Sequence, residues 1–190
     1  TPTSMCPHIF LAAGRDPSVM IGGTLPALGA GHRVGGGDTI ILESCEYCNS
    51  FLSFFPTVAV ILNVDADHLD FFKDLEDIKS SFRRFAELVP ETGFVVADRD
   101  DKNTMDALAG LERNMITFGL EEGDVHAAGL TWERGFASFD IVARGSTFAR
   151  AELSVPGVHN VRNALAAAAA AICLGVPAQA VEEGLRAFHG

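Results

Sequence analysis

TVAVILNVDADHLDFF, residues 57–72, is an apolar run that ends abruptly in three aspartates and a histidine. Its apolar half, residues 58–62, is short, rich in β-branched side chains and preceded by Pro56. This pattern predicts a strand rather than a helix. Because the strand is apolar on both faces, we expect it inside a parallel sheet that is covered by helices.

Polar side chains follow this strand directly. In open parallel sheets, ligands bind outside the carboxyl ends of the strands, so this turn is a candidate site. Carboxylate oxygens with one imidazole suit Mg²⁺ or Mn²⁺ better than zinc. The aspartates could equally cap the next helix, and the stretch alone leaves both interpretations open. The polar residues concerned are Asn63, Asp65, Asp67, His68 and Asp70.

A second acidic side chain ends another predicted strand. Residues 39–42 are apolar and lead into Glu43, with Glu46 shortly after. If the two strands are neighbours in a parallel sheet, Glu43 and His68 come within reach of one cation. A helix cap or an ion pair is the alternative role for Glu43.

Size and composition exclude several classes of protein. The chain has 190 residues, of which 48% are hydrophobic, enough for one substantial core. Its formal net charge of -11 argues against a nucleic-acid surface. It contains neither an apolar run of membrane-spanning length nor a signal peptide, so we expect a cytoplasmic protein with no membrane or nucleic-acid partner. Its four cysteines indicate reduced thiols, although the spacing of Cys45 and Cys48 leaves a redox or metal role open.

Periodicity and turn residues predict the remaining elements. Pro7 should kink or restart the first helix. The glycines around residues 29–37 precede a strand instead of following one, which favours a flexible loop over a dinucleotide-binding loop. Alternating runs within 125–154 predict two hairpins of a small antiparallel sheet, with 1–124 and 155–190 as the parallel α/β part. The other predicted helices cover residues 75–89, residues 104–111, an Ala-rich segment that starts near residue 159, and the C-terminal segment. The other predicted strands cover residues 18–21, 93–97 and 115–118.

Three motifs carry a resemblance to a known family. IILESCEYCNSFL resembles a family strand that ends in glutamate, NVDADHLDFF resembles an Asn-Ile-x-x-Asp-His-x-Asp block, and PGVHNVRNALAA resembles a Gly-x-His-Asn-x-x-Asn-Ala-x-Ala helix start. Together they are similar to the central, ATP-binding domain of the Mur ligases over nearly all of residues 1–190. The resemblance implies a P-loop NTPase-like parallel sheet flanked by helices, with a small antiparallel β subdomain.

The resemblance also implies a reaction. ATP would phosphorylate the lactyl carboxylate of UDP-N-acetylmuramate, and L-alanine would attack the acyl phosphate, with Mg²⁺ balancing the phosphate charge. A ligase that attaches a recycled tripeptide to the same nucleotide sugar is one alternative. A metal-dependent phosphohydrolase is another. Carried over by position, the implied site comprises Glu43 and His68 as metal ligands and catalytic residues, Asn63 and Asp67 on the substrate side, and His159, Asn160 and Asn163 as ATP contacts.

Some parts of the family pattern are missing from this sequence. By comparison with the family, we expect the N-terminal UDP-binding domain, the phosphate loop and the C-terminal domain to be absent from this chain, and Cys45 and Cys48 stand where related ligases tend to have aspartates. We therefore expect that the chain alone lacks ligase activity and binds ATP weakly. Unpaired strand edges could make it self-associate.

Overall fold

Two sheets and five helices make up the computed structural model, which describes residues 1–25 and 29–190. The larger sheet has the order β4-β5-β6-β7-β8-β9, and the smaller one has the order β2-β1-β3. The helices are α1 (Pro2–Ala12), α2 (Leu75–Glu87), α3 (Lys102–Ala107), α4 (Val158–Cys173) and α5 (Ala178–Ala187). The strands are β1 (Ser18–Leu25), β2 (Ala30–Arg33), β3 (Ile40–Leu42), β4 (Val58–Ile61), β5 (Phe94–Asp98), β6 (Met115–Gly119), β7 (Val125–Glu133), β8 (Phe136–Ala143) and β9 (Ser146–Pro156).

Strand β4 is covered on both faces, as its sequence predicts. Ala59 and Ile61 belong to the apolar cluster around α2, whereas Val58 and Val60 pack against the cluster formed by α1, α4 and α5. Its position within the sheet differs from the prediction, however, because β4 pairs only with β5 among the described residues and forms the edge of the six-stranded sheet. The pattern of apolar residues along a strand depends on whether its two faces are buried. It does not indicate whether another strand pairs with each of its edges.

The six-stranded sheet is mixed. Strands β4 to β7 run parallel, while β7-β8 and β8-β9 are antiparallel and form the two predicted hairpins. Parallel pairing of Phe118 with Val125 joins these hairpins to the parallel strands. The antiparallel strands therefore continue the main sheet.

Helix α4 lies at the centre of the larger core. Ala164 and residues 166–169 are fully buried there, and the small alanine side chain lets the helix approach the sheet closely. Helices α1 and α5 belong to the same apolar cluster. They touch at Gly184, where an ideal Cβ would lie 2.4 Å from the Cα of Ile9. Glycine at this position allows the two helix backbones to come together.

Three local predictions need correction. Helix α1 runs through Pro7 as one element, so the helix does not restart there, and Pro7 is buried in its packing. The glycine-rich segment is not entirely a loop, because β2 pairs antiparallel with β1 and an ideal Cβ on Gly31 would lie 2.5 Å from the carbonyl oxygen of Gly23. Its residues 26–28 fall outside the described part. Helix α3 begins earlier than predicted because Asp101 caps it.

None of the helices in the described ranges is long and apolar enough to cross a bilayer.

Candidate functional site

Glu43 and His68 follow strands of different sheets. Strand β3 pairs with β1, and β4 pairs with β5, so the prediction that they are neighbours in one sheet is wrong for the described residues. Pairing between distant strands is set by tertiary structure, which local patterns do not encode. The exposed Glu43 carboxylate accepts a 2.7 Å hydrogen bond from the backbone N–H of Gly22 in β1. Its position is therefore fixed by the smaller sheet.

His68 lies on a tight turn after β4. Its backbone has a φ of 54°, which is uncommon for a residue other than glycine and marks a strained position. Its N–H donates to the Asp67 carboxylate at 2.7 Å, and its carbonyl oxygen accepts from the N–H groups of Phe71 and Phe72, both at 2.9 Å. The turn holds an imidazole that is one-third exposed, at 33%.

The loop after Glu43 reaches this imidazole. His68 Nε2 lies 3.6 Å from a carboxylate oxygen of Glu46 and 4.0 Å from one of Asp67. The ring of Tyr47 packs on the His68 ring with their centroids 4.8 Å apart. Glu46 is only three residues beyond Glu43, so one short loop connects the two predicted metal ligands. No hydrogen bond or ion pair joins Glu43 to His68 within the described chain.

Tyr47 also contacts Asp70. Its phenol donates a 2.9 Å hydrogen bond to the Asp70 carboxylate, and this acceptor raises the pKa of the phenol. Asp70 therefore fixes the ring that packs on His68. The alternative role for the aspartates as helix caps is not found, because Asp74 is the N-cap of α2.

The turn that carries Asn63 and His68 is anchored to α3. Val64 is fully buried, and its N–H donates to Asp101 at 3.1 Å while its carbonyl oxygen accepts from Asn103 at 2.9 Å. The Asp101 carboxylate also accepts from the backbone N–H of Thr104 at 2.8 Å. Asn63 itself is exposed. Sequence reasoning missed Asp101, although aspartate is a preferred residue at a helix N-cap.

The three predicted ATP contacts lie together at the start of α4. The N-cap is Gly157, with a φ of 97°, and an ideal Cβ there would lie 2.6 Å from the exposed ring of His159. The side-chain amide of Asn160 donates to the Pro156 carbonyl at 2.7 Å, and that of Asn163 donates to Asn160 at 3.3 Å. Glycine is favoured at the cap because a φ of 97° is strained for any other residue.

An ion-pair network fixes the start of α4 to the sheet. Asp98 ends β5 and is only 4% exposed, and Arg162 of α4 donates to its carboxylate at 3.1 Å. The same guanidinium lies 3.3 Å from Asp100, whose N–H donates to Asp98 at 2.8 Å. Burial raises the pKa of the Asp98 carboxyl above its ordinary value.

This network places the start of α4 at the carboxyl edge of β5. The carboxyl end of the neighbouring parallel strand β4 leads to Asn63, so both groups lie on one edge of the sheet. Sequence reasoning missed Arg162 and Asp98. The sequence did offer a signal for this ion pair, because Arg162 is the single arginine of an Ala-rich helix and Asp98 is an acidic residue at the end of a strand.

The donor set is compatible with a Mg²⁺ ion that is bound together with phosphate. Among the described residues, no group of three or more His, Cys, Asp or Glu side chains could hold a metal by itself. The predicted cluster of Asp65, Asp67, His68 and Asp70 is therefore not assembled. Mg²⁺ in nucleotide sites takes one or two protein ligands and completes its shell with water and phosphate oxygens, which Glu43 and His68 would suit.

Comparisons with known proteins agree with this architecture. A family model described as the Mur ligase middle domain matches residues 25–171. The chain belongs to the Mur ligase middle domain family. This confirms the family resemblance and the α/β fold class predicted from the three motifs.

Relatives of this Mur ligase middle domain are known in sequence and in structure. A UDP-N-acetylmuramate--L-alanine ligase from Caldanaerobacter subterraneus subsp. tengcongensis is 48% identical over 192 residues, covering 100% of this chain and 42% of the relative. The structure of the UDP-N-acetylmuramate-alanine ligase from Thermotoga maritima has a TM-score of 0.87 at 27% identity and covers 100% of this chain and 42% of that one. The structure of the UDP-N-acetylmuramate:L-alanyl-gamma-D-glutamyl-meso-diaminopimelate ligase from Neisseria meningitides has a TM-score of 0.88 at 29% identity. The match covers 100% of this chain and 63% of that one.

This Mur ligase middle domain thus spans about two fifths of the length of the curated relatives it matches, 42% for the first of them.

Proposed function

We propose that this domain serves an ATP-dependent ligase that joins L-alanine to UDP-N-acetylmuramate. The observation that carries the proposal is the 48% identity, over the whole chain, to a relative named for that reaction. The chemistry needs ATP because a carboxylate is a poor acyl donor. Transfer of the γ-phosphoryl group to the carboxylate gives an acyl phosphate, and attack by the amine of L-alanine forms the amide and expels phosphate.

In this proposal, Glu43 and His68 hold a Mg²⁺ ion beside the reacting groups. The ion would neutralise charge on the γ-phosphate and the substrate carboxylate as they approach. The Tyr47 ring packs on the His68 imidazole and the Gly22 N–H holds the Glu43 carboxylate, so both groups are held in place before substrates bind. Asn63 and Asp67 lie on the substrate side of the same turn. Positioning and electrostatics then supply catalysis without a protein nucleophile.

The start of α4 is the proposed ATP-contact region. His159 offers an exposed ring, and Asn160 and Asn163 offer amide groups on successive turns. Amides both donate and accept hydrogen bonds, which suits the polar edge of a nucleotide base. The network of Arg162 and Asp98 would hold these groups at the carboxyl edge of the sheet.

A second candidate is the attachment of a preformed tripeptide to the same nucleotide sugar. The Neisseria meningitides ligase named for that peptide matches the fold with a TM-score of 0.88. The complete protein should be assayed for ADP release with UDP-N-acetylmuramate and either L-alanine or the tripeptide. We expect release that depends on L-alanine. Release with the tripeptide alone would favour the second candidate, and release with neither would refute both.

We also propose that the protein acts in the cytoplasm, and that the 190-residue chain alone is inactive and binds ATP weakly. The chain alone should self-associate, because β3 and β4 each have one edge without a strand partner among the described residues. Sedimentation velocity at increasing concentration tests this. A monomer at every concentration would contradict it, as would phosphate release by the chain alone that depends on L-alanine.

A further inference from the structure

Two exposed cysteines lie in the loop that contacts His68. Cys45 and Cys48 are both free and exposed, and the loop is closed by a 2.9 Å hydrogen bond from the N–H of Phe51 to the carbonyl oxygen of Cys45. The other two cysteines differ. Burial raises the pKa of Cys6 to about 12 and that of Cys173 to about 11, which suppresses their reactive thiolate forms.

The backbone between the two exposed cysteines has a turn conformation. Glu46 has helical angles, with φ -75° and ψ -23°, and Tyr47 opens the short 3-10 segment of residues 47–53. A turn of this kind brings the first and fourth Cα atoms within about 7 Å. A disulfide needs Cα atoms roughly 4.4–6.8 Å apart. The Cα positions of Cys45 and Cys48 therefore meet the distance requirement of a disulfide.

The two residues enclosed by such a disulfide are the ones that contact His68. Glu46 lies 3.6 Å from Nε2 of the imidazole, and the Tyr47 ring packs on its face. Cys48 already has a left-handed backbone, with φ 54°. An S–S bond across these residues would restrain the segment that contacts the imidazole.

We propose that Cys45 and Cys48 are a reversible thiol-oxidation site, whose disulfide restrains Glu46 and Tyr47 and thereby changes the environment of His68. The oxidant is a small-molecule disulfide. One cysteine thiolate attacks it, forming a mixed disulfide and releasing one small thiol, and the other cysteine thiolate then attacks the protein sulfur and expels the second small thiol. The protein loses two electrons and two protons, and the small disulfide is reduced to two thiols.

Formation of the disulfide does not depend on the proposed ligase reaction. Its consequence for turnover does rest on the proposed function, because it acts through His68. A zinc site at the same cysteines is disfavoured, since no group of three or more metal-ligating side chains is assembled in the described part of the chain.

Thiol mapping tests the disulfide. The protein is equilibrated with glutathione and glutathione disulfide at graded ratios, the remaining thiols are alkylated before and after denaturation, and the peptides are weighed. The free thiols of Cys45 and Cys48 should disappear together, and the peptide that contains both residues should be lighter by two hydrogen atoms. Cys6 should be alkylated only after denaturation. Cys48→Ser should yield only a mixed disulfide at Cys45. Retention of both thiols in the most oxidising buffer, or glutathione on both, would overturn the proposal.

Nuclear magnetic resonance of labelled histidine tests the coupling. Oxidation should shift the ring signals of His68, a reductant should reverse the shift, and Cys48→Ser should abolish it, with His126 on β7 as the unchanged control. An unchanged His68 in the disulfide form would refute the coupling. Neither measurement requires ligase activity, so a negative ligase assay leaves both results interpretable.

Discussion

Replacing Arg162 with leucine should destabilise the fold through Asp98. The Asp98 side chain is 6% exposed and would keep only the N–H of Asp100 as a hydrogen-bond donor among its observed partners. Removing one partner of a fully buried ion pair costs roughly 3–5 kcal/mol. The Arg162 side chain is 37% exposed, however, so solvent screening reduces the expected loss. We expect about 1–3 kcal/mol.

The loss should depend on pH with a defined sign. Burial raises the folded-state pKa of Asp98, the guanidinium opposes that rise, and its removal raises the pKa further. A carboxyl with a raised folded-state pKa binds its proton more tightly in the folded protein. Stability therefore falls as pH rises from the unfolded-state pKa through the folded-state pKa. The deficit of Arg162→Leu should be largest near neutral pH and should shrink on acidification.

Urea denaturation of four proteins measures this effect: the parent, Arg162→Leu, Asp98→Asn and the double variant. Asparagine keeps the size of the side chain without its charge, so the double variant should recover most of the loss. The corresponding fall in thermal midpoint is roughly 2–4 °C per kcal/mol. The free energy of unfolding of Arg162→Leu could instead be lower by the same amount at every pH, or the double variant could fail to recover stability. Either result would show that the loss does not come from an unpaired buried carboxylate.

Two further predictions concern packing and the loop beside His68. Gly184→Ala should lower the free energy of unfolding by about 1–3 kcal/mol, because its Cβ would lie 2.4 Å from the Cα of Ile9. Gly23→Ala, whose Cβ meets nothing within 4 Å, is the matched control, and equal melting midpoints would contradict the reasoning. Tyr47 is the single tyrosine of the chain, so phenolate absorbance reports its pKa directly. Asp70→Asn should lower that pKa, since the Asp70 hydrogen bond is the main cause of its rise, and an unchanged titration would exclude this cause.

Local patterns in the sequence predicted much of the fold. The β-branched run before Asn63 indicated a strand covered on both faces, and alternation after Val125 indicated the two hairpins, both of which the structure contains. Strand partners were not predictable in the same way, because β3 and β4 acquire them from distant parts of the chain.

The sequence predicted which residues form the candidate site better than it predicted how they are arranged. Motifs identified His68, but its left-handed backbone and its contact with Glu46 arise from the folded turn. The pairing of Asp98 with Arg162 joins residues 64 positions apart, a distance at which neither helical nor strand periodicity carries information. Such contacts depend on how α4 packs on the sheet.

The turnover of His68→Ala in the complete protein tests the central claim most directly. The side chain is 33% exposed, so its removal should leave the thermal midpoint almost unchanged. Loss of a group that stabilises transition-state charge should lower kcat for ADP release dependent on L-alanine by about 100-fold or more. Wild-type turnover in a folded His68→Ala protein would contradict the assignment of this turn as the metal and phosphate site.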